Sequence, residues 1–258
     1  MPKYMKKYEL TGQKMTLRNG LVLHRIRALR DFALVRKGDL GGWIESERNL
    51  ATDYNCAWIA GNGKVYGNAR IEGDAWVTGN AQVYGNAMII EDTTVENNAR
   101  VYGNARISDV AKISENARVY DEARVSGSAQ ISGEARIYGN AEVCEKVVVC
   151  GNAQIHGKVM LYGNTHIFDN AEICNEAVVY GKARIGGDSR IESIHDYVTI
   201  SPIGEKSILT LTRDGMAFSS CFSLTLDEIL AECQKKYLPK LYKNQYRSAI
   251  RFAKSFFK

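Results

Sequence analysis

From Ala57 to Ser189, every sixth residue is small or β-branched, and the register never slips. Seventeen of these 23 positions are Ala; the others are Gly63, Thr93, Val147, Val159, Thr165 and Ser189. Two places on, from Ile59 to Ile191, all 23 residues are Ile, Val or Leu. The hexad reads small, polar, aliphatic, polar, then a corner dominated by Gly and Asn, as in Ala69-Arg70-Ile71-Glu72-Gly73-Asp74. Such alternation is the period of a short strand with one buried face. A Gly-Asn corner supplies the backbone angles that bend the chain into the next strand. A helix is excluded, because a sixfold repeat winds its apolar stripe around the cylinder. A pentapeptide solenoid is excluded by the period. What remains is a parallel β-helix, in which each backbone group bonds to the coil above or below.

A second spacing sets the number of sides. Tyr66, Tyr84, Tyr102, Tyr120 and Tyr138 lie eighteen apart at one hexad position, where the intervening hexads carry Glu72, Ile90, Ser108 and Ser126. Eighteen residues make three hexads, hence one turn of a triangular coil. Residues 57–192 then give 7–8 coils, about 36 Å long at roughly 4.8 Å per strand spacing.

An open β-helix exposes unpaired strand edges at both ends, so each end needs a cap. Residues 5–37 read as strands, with Asn19-Gly20 in "KMTLRNGLVLHRI" as the hairpin turn. Residues 39–56, with "GDLGGWIES", read as an irregular first coil. After His195, "YVTISPIG", "SILTLTR" and "MAFSSCF" read as three strands, the last two joined at Asp214-Gly215. Thr225 with Glu228 is a capping box that opens a helix to about Tyr237, and Pro239 starts a second to about Phe257. The expected organisation is an N-terminal hairpin and capping coil (1–56), the β-helix (57–192) and a C-terminal α+β cap (193–258).

Charge is spread unevenly. Residues 1–56 carry 11 Lys/Arg against 6 acids, 57–192 carry 13 against 17, and 193–258 carry 10 against 6. Two basic ends thus flank a mildly acidic middle. The six cysteines contain no C-x-x-C pair, which reads as reduced thiols in a cytoplasmic protein. No apolar run is long enough to span a bilayer, and "MPKYMKKYELTGQK" has no apolar core of a secretory signal.

The hexad resembles that of the hexapeptide-repeat superfamily, whose fold is a left-handed parallel β-helix and which is best known for acyltransferases. The Gly-Asn-Ala-Arg-Val-Tyr version, with "LHRIRALRDF" and "KGDLGGWIES" before it and "ISPIG" after it, is similar to a narrower group found in bacteria and their phages. Members are commonly labelled acyltransferases, a label that follows the repeat and not a site. The resemblance covers nearly the whole chain. It implies a triangular left-handed β-helix and, for an enzyme, a His at a coil corner that deprotonates the acceptor. His156 occupies the tyrosine-ladder position one coil after Tyr138 and is the candidate base. No loop leaves the repeat to close over a cofactor, and a glycine-rich acyl-transfer signature is absent, so acyl transfer with His156 as base is the runner-up reading and no cofactor is expected.

Binding is the better-supported expectation. Beside the tyrosines runs an outward column of Lys64, Gln82, Arg100, Arg118, Arg136 and Gln154. Arg100, Tyr102, Arg118, Tyr120, Arg136 and Tyr138 together alternate planar cations with aromatic rings. That pattern suits phosphates, bases or an acidic protein surface. It equally suits tyrosines that pack on Arg stems to shield the sheet, and Glu122 and Glu134 dilute the field. A second basic candidate is the last helix. There Lys240, Lys243, Arg247, Arg251 and Lys254 share one side, and Tyr242, Tyr246, Ala249, Ala253 and Phe257 share the other. No metal site is expected. Cys144 and Cys150 diverge on adjacent sides, and Cys174 lies one coil beyond His156 with nothing evident to complete a shell. The expected function is therefore a non-catalytic, phage-related β-helix that binds a host macromolecule, with a defence complex among the candidates. A structural protein or small-ligand sponge is a further alternative. The sequence leaves the oligomeric state open.

Overall fold

Each hexad closes into one two-residue strand, from Trp58–Ile59 to Arg190–Ile191, and 23 such strands follow one another without interruption. Each pairs in parallel with the strand eighteen residues on, as Arg100 with Arg118 and Val101 with Val119. The strands sort into three faces of a triangular parallel β-helix. The tyrosine face contains Lys64–Val65 through Arg190–Ile191, a second face runs from Trp58–Ile59 to Arg184–Ile185, and a third from Arg70–Ile71 to Val178–Val179. The structure, a computed structural model, describes residues 6–52, 55–203, 207–219, 222–234 and 240–258.

The interior is the two inward hexad positions. All 23 small residues and all 23 aliphatic residues are buried, from Ala57 and Ile59 to Ser189 and Ile191. Main-chain bonds link successive coils throughout, such as Arg118 N–H to Ala135 O at 2.9 Å and Tyr120 N–H to Ile137 O at 3.0 Å. At the corners one residue takes the left-handed conformation. Gly127 (φ 67°) is required there, because an added Cβ would lie 2.5 Å from the Glu145 amide nitrogen. Elsewhere an acid takes this position: Asp109, Glu115, Asp121, Glu145 and Asp169 all have φ between 54° and 61°. Their carboxylates accept the backbone N–H one coil on, at Gly127, Gly133, Gly139, Gly163 and Gly187, over 2.6–3.2 Å. The charged hydrogen bond offsets the steric cost of a left-handed non-glycine residue. Acids are thus a regular part of corners expected to be Gly and Asn.

The N-terminal hairpin forms as expected, with β1 (Tyr8–Thr16) antiparallel to β2 (Val22–Ala28). Residue 5, where the strand reading began, lies outside the described residues. Residues 29–37 are not strand. Phe32 and Val35 bridge a tight turn and are buried, and Phe32 stands edge-on to Trp58 at 5.4 Å. Both belong to the core cluster of the coils, with Ala57, Trp58 and Ile59. β3 (Leu40–Ile44) pairs antiparallel with β2 and parallel with Lys64–Val65, so it is the first rung of the tyrosine face. Its offset to that strand is 21 residues rather than 18, which makes the first coil irregular as read. A Cβ on Gly41 or Gly42 would fall within 2.4–2.7 Å of Ile26, Trp58, Ile59 and Gly63 atoms, so the Gly-Gly pair lets β3 lie flat on the coil.

Among the described residues the C-terminal cap is a meander of four strands, not three: Tyr197–Ile203, Ser207–Thr212, Met216–Phe218 and Ser223–Thr225. The fourth merges directly into the capping box, where Thr225 Oγ1 accepts the Glu228 N–H at 3.2 Å. Helix α1 (Leu226–Glu232) closes at buried Cys233, whose backbone N–H donates to Ile229 O. Tyr237 and Pro239 lie outside the described residues. Helix α2 (Lys240–Phe256) packs Ala249, Ile250 and Ala253 against Ile203, Leu209 and Leu211 in a core separate from that of the coils.

Two stability predictions follow from the interior. Ala117 is fully buried; Ala117→Leu is expected to destabilise by about 1–3 kcal/mol through overpacking, while outward Arg118→Leu changes stability little. Equal losses in chemical denaturation overturn this inside–outside assignment. Thr165 is buried with an Oγ1 that has no hydrogen-bond partner, and the inward residue one coil before it is Val147. The isosteric Thr165→Val is therefore expected to raise stability by about 1 kcal/mol, since an unsatisfied buried hydroxyl costs roughly 1–3 kcal/mol. A lower denaturation midpoint in the variant contradicts it.

Candidate functional site: an arginine–tyrosine face

The tyrosine face brings together all six residues of the first candidate site. Because Arg100, Arg118 and Arg136 are register partners on adjacent coils, each following tyrosine is carried into line. The five rings from Tyr66 to Tyr138 stack at 4.9–5.0 Å with tilts of 2° or less. All five are half-buried. Burial pushes each phenol above its usual range, and the charges of Arg118, Arg100 and Arg136 oppose that shift at Tyr102. The phenols therefore stay protonated at neutral pH and can donate or accept hydrogen bonds.

Arg100 and Arg136 are exposed and Arg118 is half-buried. Among the described residues, none of the three guanidiniums forms an ion pair. On the other faces, by contrast, Lys112 pairs with Glu96 at 2.8 Å and Arg124 with Glu142 at 3.2 Å. Glu122 and Glu134 accept hydrogen bonds from asparagine and pair with none of the three guanidiniums. Asn62, Asn80, Asn98 and Asn116 form a hydrogen-bonded ladder along one corner that ends on Glu134. Along the next corner, Asn68, Asn86 and Asn104 form a ladder that ends on Glu122.

At its carboxyl end the face changes character. His156 continues the ring stack on Tyr138 at 4.8 Å with a tilt of 13°. Its Nε2 lies 2.9 Å from Glu172 Oε1, and Arg190 binds the other oxygen of Glu172 and also Glu192. The bond to His156 holds the Glu172 carboxyl below its usual range. Cys174, next in the ladder column, is fully buried, and burial raises its thiol. Glu172 was not among the residues singled out from the sequence. Its signal is the offset of 16 residues from His156, the same diagonal that joins Tyr66 OH to Gln82 Oε1 at 3.4 Å. Cys144 and Cys150 lie on the third and second faces, apart from this group.

The second basic candidate sits on α2. Lys240, Arg247, Arg251 and Lys254 are exposed there, and Lys243 is half-buried. Its packing side includes Ile250 as well as Ala249, Ala253, Tyr246 and Phe257. Phe256 borders a cavity of about 410 Å³ with Tyr180, Ile194 and His195, away from the arginine column. No helix is long and apolar enough to cross a membrane among the described residues.

The chain matches the family model described as the YdcK beta solenoid repeat over residues 64–79, 81–97, 117–133 and 129–145. The chain is a β-solenoid repeat protein. All four matched segments fall in the coils that carry the tyrosine ladder. No curated protein matches the chain.

Proposed function

We propose that this β-solenoid is a non-catalytic binding protein that engages an acidic macromolecular surface through Arg100, Tyr102, Arg118, Tyr120, Arg136 and Tyr138. The observation that carries the reading is the column of three guanidiniums without ion pairs, beside half-buried rings. Like charges one coil apart repel, and folding gains nothing from leaving them unpaired. Arg106 on the third face is also without an ion pair, but the outward residues beside it are Ser108 and Ser126, and the tyrosines of that column, Tyr162 and Tyr180, stack farther along the face. An acidic partner supplies the missing countercharge, and the rings offer flat apolar area at low entropic cost. The sequence resemblance to bacterial and phage repeat proteins favours a host macromolecule as partner, with a defence complex in that class.

The test is charge reversal. Replacing Arg100, Arg118 and Arg136 by Glu is expected to abolish capture of the partner from host lysate while the protein stays folded. Like charges placed at an interface cost several kcal/mol, more than exposed side chains contribute to folding. Binding by the parent protein also weakens with salt, since exposed charges are screened over about 10 Å at 0.1 M. If reversal of Lys240, Lys243 and Arg247 abolishes binding and the solenoid triple has no effect, the ladder is packing and α2 is the site.

Acyl transfer is the second reading, and the His156–Glu172 contact favours it, because a carboxylate can orient a general base. The binding reading predicts that acetyl-coenzyme A does not raise the melting temperature. A cofactor-dependent rise that disappears in His156→Ala decides for the enzyme.

A further inference from the structure

The tyrosine ladder stops where the chemistry of its column changes. After five tyrosines, the position is taken in turn by His156 and Cys174, and Glu172 stands on the diagonal between them. Packing alone does not ask for this set. The ring stack ends in an imidazole, the next residue is a fully buried thiol, and a half-buried carboxylate is fixed between them. A ring nitrogen of His156, Cys174 Sγ and one carboxylate oxygen of Glu172 all lie within 4.8 Å of one another, and His156 Nε2 is 2.9 Å from Glu172 Oε1.

We infer that His156, Glu172 and Cys174 form a binding site for one divalent ion of the zinc class, with a fourth position left to solvent or an exogenous ligand. The donor set selects the ion. Thiolate and imidazole suit a borderline-soft metal, whereas magnesium and calcium take oxygen shells. Bond lengths of about 2.0–2.3 Å in a tetrahedron put donor atoms roughly 3.3–3.8 Å apart. The largest separation therefore has to close by about 1 Å, within reach of side-chain rotation. The frame is rigid, since the strands ahead of these residues are register partners, Gln154 with Glu172 and Ile155 with Ile173. His156 N–H and Cys174 N–H are both tied to the coil beyond, at 3.0 and 2.9 Å. Arg190 holds the Glu172 oxygen that faces away from His156, and so orients the carboxylate as an outer-shell partner does.

Loading balances simply. The thiol proton is released and sulfur takes the ion. The proton that Nε2 shares with the Glu172 carboxylate moves through solvent to Nδ1, which leaves a neutral imidazole with Nε2 open to the ion, and the hydrogen bond gives way to two metal–ligand bonds. Arg190 also places a positive charge beside the site. That charge lowers affinity for a bare cation and favours an anionic fourth ligand.

This inference does not depend on the partner-binding reading, and its test uses neither partner nor activity. The reduced, metal-free protein is titrated with Co²⁺ as the probe. The expected result is one equivalent bound, with tetrahedral visible absorption and a near-ultraviolet thiolate-to-cobalt charge-transfer band that excess Zn²⁺ removes. Cys174→Ala is expected to abolish that band. His156→Ala and Glu172→Gln should weaken binding about tenfold or more, since even outer-shell changes cost that much. The size-preserving Cys174→Ser replaces the alanine variant if the latter does not fold, as judged by circular dichroism. Absence of the band in the parent protein overturns the site. So does a band that survives at Cys174 variants and disappears in Cys144→Ala or Cys150→Ala.

Discussion

The parallel pairing of every residue with the one eighteen places on is the constraint from which the rest of the molecule follows. A strand of two residues cannot satisfy its own backbone, so each N–H and C=O must find a partner one coil away. That requirement forbids insertions, because one added residue turns an inward side chain outward for the remainder of the coil. It also fixes the cross-section. Alanine at most inner corner positions sets how closely the three faces approach, and the aliphatic residue two places on fills what is left. The irregular 21-residue first coil is tolerated only at the end, where β2 and β3 can absorb the change of offset.

The same register turns single residues into columns, and columns behave differently from isolated side chains. Asparagines line up to donate and accept in series, and acids in left-handed corners each cap the amide above. Tyrosines shield one another's faces. Each of these repeats lowers the free energy of the next coil. A column of arginines does the opposite, since stacking like charges at the coil spacing is repulsive. Its presence beside the tyrosines, with Glu122 and Glu134 bonded to asparagine, is where folding and function pull in different directions.

Most of this architecture is legible in the sequence because a single period carries it. Position in the hexad decides inside from outside, and the tyrosine spacing decides the number of sides. What is hidden lies off the period. The pairing of β3 with Lys64–Val65 depends on Gly41 and Gly42 fitting against Ile26 and Ile59, a contact between distant segments that no repeat encodes. The plug of Phe32 and Val35 lies in a short apolar run that reads as strand but closes as a turn, with Phe32 against Trp58 rather than in a sheet. Ser223–Thr225 is too short to show a strand period and shares Thr225 with the capping box. The partnership of His156 with Glu172 crosses from one column to its neighbour, whereas comparison at intervals of eighteen follows each column alone.

A regular solenoid therefore makes its exceptions informative. At an outward position the fold accepts many side chains, so a run of five identical residues already reflects an added advantage of stacking. Breaking that run forfeits the advantage. The change from Tyr138 to His156 keeps a ring and the stack. The change to Cys174 keeps neither, and places a polarisable thiol in a fully buried spot beside the imidazole and the carboxylate. Glu172 follows Gln154 in the adjacent column and adds a negative charge directly beside the imidazole. Two neighbouring columns thus depart from their pattern within one coil and toward the same few ångströms of space. Independent surface drift would scatter such departures along the faces, whereas a local requirement gathers them.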